Sequence, residues 1–143
     1  MRLVLDTGVV VAALRSDQAA SRQLLLAALD QRVVVLLSVP LMLEYEAVLT
    51  RPEQLEVTGL TIEETNAVLD ALVAVAEPVT LRFLWRPRLK DPNDEMVLET
   101  AVNGQASHLV TFNLRHLGEA PKGFGIHVNT PGEIWREIRG AKP

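Results

Sequence analysis

Short blocks of consecutive apolar residues alternate along the chain with longer segments in which apolar residues recur every three or four positions. The blocks Leu3 to Leu5, Val33 to Leu37, Ser107 to Thr111 and Ile126 to Val128 are too short for helices, and their β-branched and leucine content predicts buried strands. Pro78 to Leu81 predicts a further strand, placed at a sheet edge because a proline opens it. Between the strands, Val9 to Leu14, Ser21 to Gln31, Leu41 to Leu49 and Glu95 to Asn103 show helical periodicity. Strand and helix in alternation predict an α/β protein around a parallel sheet.

Helix punctuation supports this division. Ser38-Val39-Pro40 reads as a strand end followed by proline at the first helical position, where a missing N–H costs nothing. Arg51-Pro52 stops that helix, and Glu53 to Leu60 reads as a connector. Thr61-Ile62-Glu63-Glu64 is a capping box, and Thr130-Pro131-Gly132-Glu133 starts a last helix through Ile134 to Ile138. From Ala67 to Ala76 the pattern is apolar nearly all round, broken only by Asp70. Such a helix is either internal or covered by a second subunit.

Composition narrows the class. A chain of 143 residues with 48% hydrophobic content fits one domain, residues 1–143, with a substantial core. It has no cysteine, hence neither a disulfide framework nor a thiolate metal site. Without a basic, apolar leader or a run near the roughly 20 residues that span a bilayer, the expectation is a cytoplasmic protein with no membrane contact. The net charge of -4 argues against a generic nucleic-acid gripper. It leaves room for an enzyme that grips nucleic acid through one local patch.

The candidate chemistry is acidic. Asp6 ends the first strand abruptly, and the crevice beyond the carboxyl ends of a parallel sheet is where ligands bind. Capping of the next helix is the competing role for Asp6. Glu44 lies about one turn into the helix that leaves the second strand. Asp91 and Asp94 open the helix that begins at Asp91-Pro92-Asn93-Asp94, where capping needs only one acid. Thr111 and Asn113 follow the fourth strand at the same sheet end. Crowded carboxylates raise one another's pKa, and a divalent cation relieves this. Oxygen-only ligands, without a His or Cys set, favour Mg²⁺ or Mn²⁺ over zinc, and such a site suits phosphodiester hydrolysis.

The stretch Arg82-Phe83-Leu84-Trp85-Arg86-Pro87-Arg88-Leu89-Lys90 is the one dense basic segment, with aromatics interleaved. It is the candidate for holding phosphates, through Arg86, Arg88 and Lys90, and for stacking a base. Its competing role is ordinary packing under a solvated loop. Arg115, with His116 beside it, is a further candidate phosphate contact, whereas His108 and His127 read as packed or solvated strand residues.

Taken in order, Leu3-Val4-Leu5-Asp6-Thr7, Ser38 to Glu44, Asp91-Pro92-Asn93-Asp94 through Thr100-Ala101, and Leu109-Val110-Thr111-Phe112-Asn113 resemble the PIN domain. The resemblance is to its bacterial branch of toxin components of toxin–antitoxin systems, related to the VapC toxins. It implies a three-layer α/β/α sandwich around a parallel sheet and a Mg²⁺- or Mn²⁺-dependent ribonuclease, with RNA as substrate and a cognate antitoxin as partner, while the apolar Ala67 to Ala76 helix is what points to a homodimer. Asp6, Glu44 and Asp94 match the family's acidic ligands, and Thr7 matches the hydroxyl residue after the first. Asn113 stands where many members have a fourth acid, and Gly8 where many have Asn or Ser. A neutral Asn113 removes one charge, so one metal is expected to be held clearly and a second weakly, unless Asp91 or substrate phosphate completes it.

Two other readings compete. A PIN-like module that binds RNA or a protein and cleaves little accommodates Asn113 and the low basic content. An aspartyl-phosphate phosphatase also places an Asp after its first strand, but it usually needs a second acid where this chain has Gly8.

Overall fold

The computed structural model describes residues 1–15, 19–82 and 92–140. Leu3, Val4 and Leu5 are sealed from water, so β1 (Arg2–Leu5) is covered on both faces. To one side lie β2 (Val34–Leu37) and then β3 (Glu77–Pro78); to the other lie β4 (His108–Val110) and then β5 (His127–Asn129). The order is β3-β2-β1-β4-β5, and every pairing is parallel. Around this sheet pack α1 (Thr7–Leu14), α2 (Ala19–Leu29), α3 (Val39–Leu49), α4 (Pro52–Thr58), α5 (Ile62–Val75), α6 (Pro92–Asn103) and α7 (Pro131–Gly140). This is the parallel α/β architecture that the strand and helix alternation predicts, and the α/β/α sandwich that the PIN resemblance implies.

Three local expectations are corrected. Glu53 to Leu60 is no plain connector: Pro52 sits in the first turn of α4, and Gly59, at φ 74°, closes it by donating its N–H to the Leu55 carbonyl. This Pro-to-Gly bracket is ordinary helix punctuation. The helix buries none of its residues, which is why no apolar stripe betrayed it. The edge strand is Glu77–Pro78 instead of Pro78 to Leu81, and it is held from below by Arg2, whose guanidinium grips the Glu77 carboxylate with both nitrogens. Finally, α5 is not internal. The capping box at Thr61 and Glu64 forms as expected, but only Thr65, Leu69 and Leu72 are buried, while Ala67, Ala71, Val73 and Ala74 face outward.

The direction of α6 matters for the site. At its carboxyl end the Gly104 carbonyl accepts from the Arg2 guanidinium at 2.8 Å, beside the start of β1. Further back, Thr100 shares a 2.7 Å hydrogen bond with Ser38, at the finish of β2. The helix therefore runs antiparallel to the strands. Its first turn, which holds Asp94, lies about 9 Å beyond Thr100 at about 1.5 Å per residue, past the carboxyl edge of the sheet.

Candidate active site

The chain goes from β1 outward to β2 and β3, then crosses back through α6 to β4 on the opposite side of β1. The reversal leaves a crevice between the carboxyl ends of β1 and β4, the place where open α/β sheets bind ligands. Asp6 stands at the β1 lip of it, and Thr111 and Asn113 at the β4 lip.

Asp6 occupies the N-cap position of α1, with φ −61° and ψ 148°, yet its side chain makes no capping bond. Its Oδ2 instead accepts from the Thr111 hydroxyl at 2.7 Å across the crevice. Of the two roles open to Asp6 in the sequence, the geometry thus leaves helix capping without its bond. The Asp6 N–H donates to the Val110 carbonyl at 2.9 Å, continuing the β1–β4 register of Leu5 with Val110. Thr111 is almost wholly buried, and its Oγ also accepts the Asn113 N–H at 3.0 Å. One hydroxyl so ties together both lips.

Glu44 and Tyr45 come from α3. Ser38 caps that helix by accepting the Leu41 N–H, and its partner Thr100 donates to the Met96 carbonyl, so α3 and α6 are pinned at one buried point. Tyr45 is fully buried, and its hydroxyl donates to the Leu5 carbonyl. Burial, reinforced by the negative charge of Asp6, drives its pKa far above that of a free phenol. Adjacent to it, Glu44 is partly exposed but holds its Oε2 out of water with no hydrogen-bond partner, as does Thr7 with its Oγ. Buried oxygens are normally paired, so these two, one on α3 and one in the first turn of α1, stand out as unsatisfied.

Asp94, partly exposed, opens the first turn of α6 with Glu95, which is only 7% exposed. Burial and the charge of Glu95 raise the pKa of Glu99, one turn on. Acid crowding thus reaches along α6, a feature the sequence reading passed over. The signal was available: Glu95 continues the buried stripe of Leu98 and Ala101 at helical spacing. Asn113 and Arg115 are exposed around the short 3₁₀ helix Leu114–Leu117. Asp91, Arg86, Arg88 and Lys90 lie outside the described residues, as does the side chain of His116.

Asp6 thus ends β1 and Asp94 lies in the turn of α6 beyond the same edge of the sheet, while Glu44 enters from α3. Among the described residues, which include Asp6, Glu44 and Asp94, no group of three or more His, Cys, Asp or Glu side chains is placed to hold a metal ion. This donor set still fits a hard cation. Mg²⁺ is usually held by one or two carboxylates plus substrate phosphate, and it keeps several waters. The unpaired oxygens of Glu44 and Thr7 are the hard donors such an ion takes.

A parallel sheet with Asp6 and Thr111 joined across its topological switch point defines an α/β protein with a ligand crevice at the carboxyl ends of its strands. The model of the PIN domain matches residues 2–115, and the chain belongs to that family. PIN domains are in general nucleases, typically working with divalent metal ions. No curated protein and no solved structure matches the chain.

Proposed function

We propose that the protein is a Mg²⁺- or Mn²⁺-dependent endoribonuclease, the toxin component of a toxin–antitoxin pair. The observation that supports this best is Asp6. It sits at an N-cap without capping, and its carboxylate is oriented by Thr111 over the crevice between β1 and β4.

Asp6, Glu44 and Asp94 would hold the ion, with Asn113 offering a neutral carbonyl oxygen and Asp91 a further acid. When bound, such an ion lowers the pKa of water and carries charge on the leaving oxygen of a phosphodiester. The protein's own residues do the rest. Thr111 fixes the rotamer of Asp6, and the Ser38–Thr100 bond keeps α3 and α6, hence Glu44 and Asp94, in constant register. Thr7 and Arg115 would meet substrate phosphate in this reading, joined by Arg86, Arg88 and Lys90. A second copy of the chain would cover the exposed Val39, Leu43 and Val73 of α3 and α5, and an antitoxin completes the set of partners in the cytoplasm.

The test is cleavage of single-stranded RNA with and without Mn²⁺, comparing the parent with Asp6→Asn. The reading expects Mn²⁺-dependent cleavage that disappears in the variant while circular dichroism stays the same. Cleavage that survives Asp6→Asn removes the assignment. RNA binding without any cleavage favours the binding module, which the neutral Asn113 would permit.

A further inference from the structure

One peptide plane carries Asp6 into the crevice, the plane between Leu5 and Asp6. In a trans peptide the C=O and the N–H point in opposite directions. The Asp6 N–H goes to Val110 in β4 at 2.9 Å, so the Leu5 carbonyl faces the β2 side. There the paired register of β1 with β2 has already ended, at Leu3 with Val35. A carbonyl at that depth needs a donor. Tyr45 supplies it, reaching from α3 with a fully buried hydroxyl.

From this we infer that Tyr45 is a positioning residue: it locks the Leu5–Asp6 peptide from the β2 side while Val110 locks it from the β4 side, and so aims the Asp6 carboxylate. The inference rests on the metal-nuclease reading above. Three contacts then determine where Asp6 points: Val110 on its N–H, Thr111 on its Oδ2, and Tyr45 on the carbonyl that precedes it. Phenylalanine would fill the same space between α3 and β1 but leave the Leu5 carbonyl without its donor. The hydroxyl is what places Tyr45 in the service of the site.

Its position on α3 adds a second consequence. Tyr45 is adjacent to Glu44, so the same helical turn that presents Glu44 also clamps the strand end presenting Asp6. Two acids from separate elements are thereby referenced to one rigid point. Removing partners that orient ligating groups typically weakens metal affinity by about 10- to 100-fold, and loss of the Tyr45 hydroxyl belongs to that class of change.

The experiment is calorimetric titration of Mn²⁺ into the parent, Tyr45→Phe and Asp6→Asn without RNA, followed by kcat and KM on single-stranded RNA. Tyr45→Phe is expected to keep its fold, to bind Mn²⁺ at least about 10-fold more weakly, and to lose kcat with KM little changed. Mn²⁺ affinity and kcat equal to the parent's, with only a lower melting temperature, overturn the positioning role and leave the nuclease reading standing. A parent that binds Mn²⁺ no better than Asp6→Asn overturns both.

Should Tyr45→Phe fail to fold, the unmutated chain offers a second measurement. It contains a single tyrosine, so 3-fluorotyrosine labels position 45 alone. Its fluorine resonance is expected to shift as Mg²⁺ is added, and to stay still in Asp6→Asn. A resonance unmoved by Mg²⁺ in the labelled parent overturns the inference.

Discussion

Thr111 donates to the Asp6 carboxylate at 2.7 Å while accepting the Asn113 N–H at 3.0 Å, across the one place in the sheet where the chain reverses its direction of travel. The hydroxyl therefore couples the rotamer of an acid on β1 to the backbone path after β4. Thr111→Val keeps the shape and removes both bonds. A hydrogen bond to a carboxylate contributes about 1.5–3 kcal/mol net, but Asp6 is exposed enough to recover much of it from water. Stability should fall only slightly in a urea titration, whereas Mn²⁺-dependent cleavage should fall by about 10-fold or more. Equal activity in the variant would mean that Asp6 orients without help.

How much of this was legible beforehand follows the length over which each signal acts. The strand ends at Asp6, Ser38 and Thr111 were readable because a buried parallel strand is a short apolar run with an abrupt stop. The helix starts at Thr61 and Thr130 were readable because a capping box is local: Thr130 and Glu133 exchange the expected bonds. Hidden were features that depend on tertiary placement. Tyr45 reads as one more apolar member of the α3 stripe, and only the fold shows its hydroxyl arriving at Leu5. Ser38 and Thr100 read as a cap and a helix interior, and only the fold joins them. Likewise α4 escaped notice because a helix that buries nothing leaves no period in its apolar residues.

The capping box of α5 gives a local prediction. Thr61 accepts the Glu64 N–H at 3.0 Å and Glu64 accepts the Thr61 N–H at 3.0 Å, both at the start of a helix that anchors itself by few buried residues. Thr61→Ala should cost about 1 kcal/mol, read as a lower urea midpoint with unchanged slope. Because the bonds of Thr61 stay within the first turn of α5, RNA cleavage at low temperature should be untouched. A drop in cleavage without a drop in stability would connect α5 to the site.

Gly104 makes a sharper one, and it is a matter of space. A Cβ there would sit 2.8 Å from Val79 Cγ2, 2.9 Å from Leu36 Cδ1 and 3.0 Å from the Thr100 carbonyl. Leu36 is fully buried in β2 and cannot withdraw without disturbing the sheet. Overpacking of this sort typically costs about 1–3 kcal/mol. Gly104→Ala should therefore lower the melting temperature by more than Thr61→Ala does, even though alanine is the better helix former. If the alanine variant melts at or above the parent's temperature, the close approach of α6 to β2 and Val79 is not as described.

The last prediction concerns pH, at the opposite end of the sheet from the acids. His108 and His127 are register partners on β4 and β5, their ring centroids 5.3 Å apart. The His108 side chain is only 12% exposed, with Nδ1 2.8 Å from the Ser107 hydroxyl and Nε2 3.7 Å from Glu137 of α7. Burial lowers its pKa from the ordinary 6.5; the neighbouring His127 and the chain's N-terminal charge push the same way, and Glu137 opposes them. A histidine whose folded pKa lies below its unfolded one binds fewer protons when folded. Its stabilising contribution is complete above about pH 6.5 and is lost as pH falls through the folded value. Glu133 and Glu77, held below the usual carboxylate range by Thr130 and Arg2, lose their contributions only at lower pH, so the two windows separate. Melting temperatures taken from pH 7.5 down to pH 5 should show a decline in the parent that is largely absent in His108→Gln, which cannot titrate. The same decline in both chains would assign the loss to other groups and remove His108 as its source.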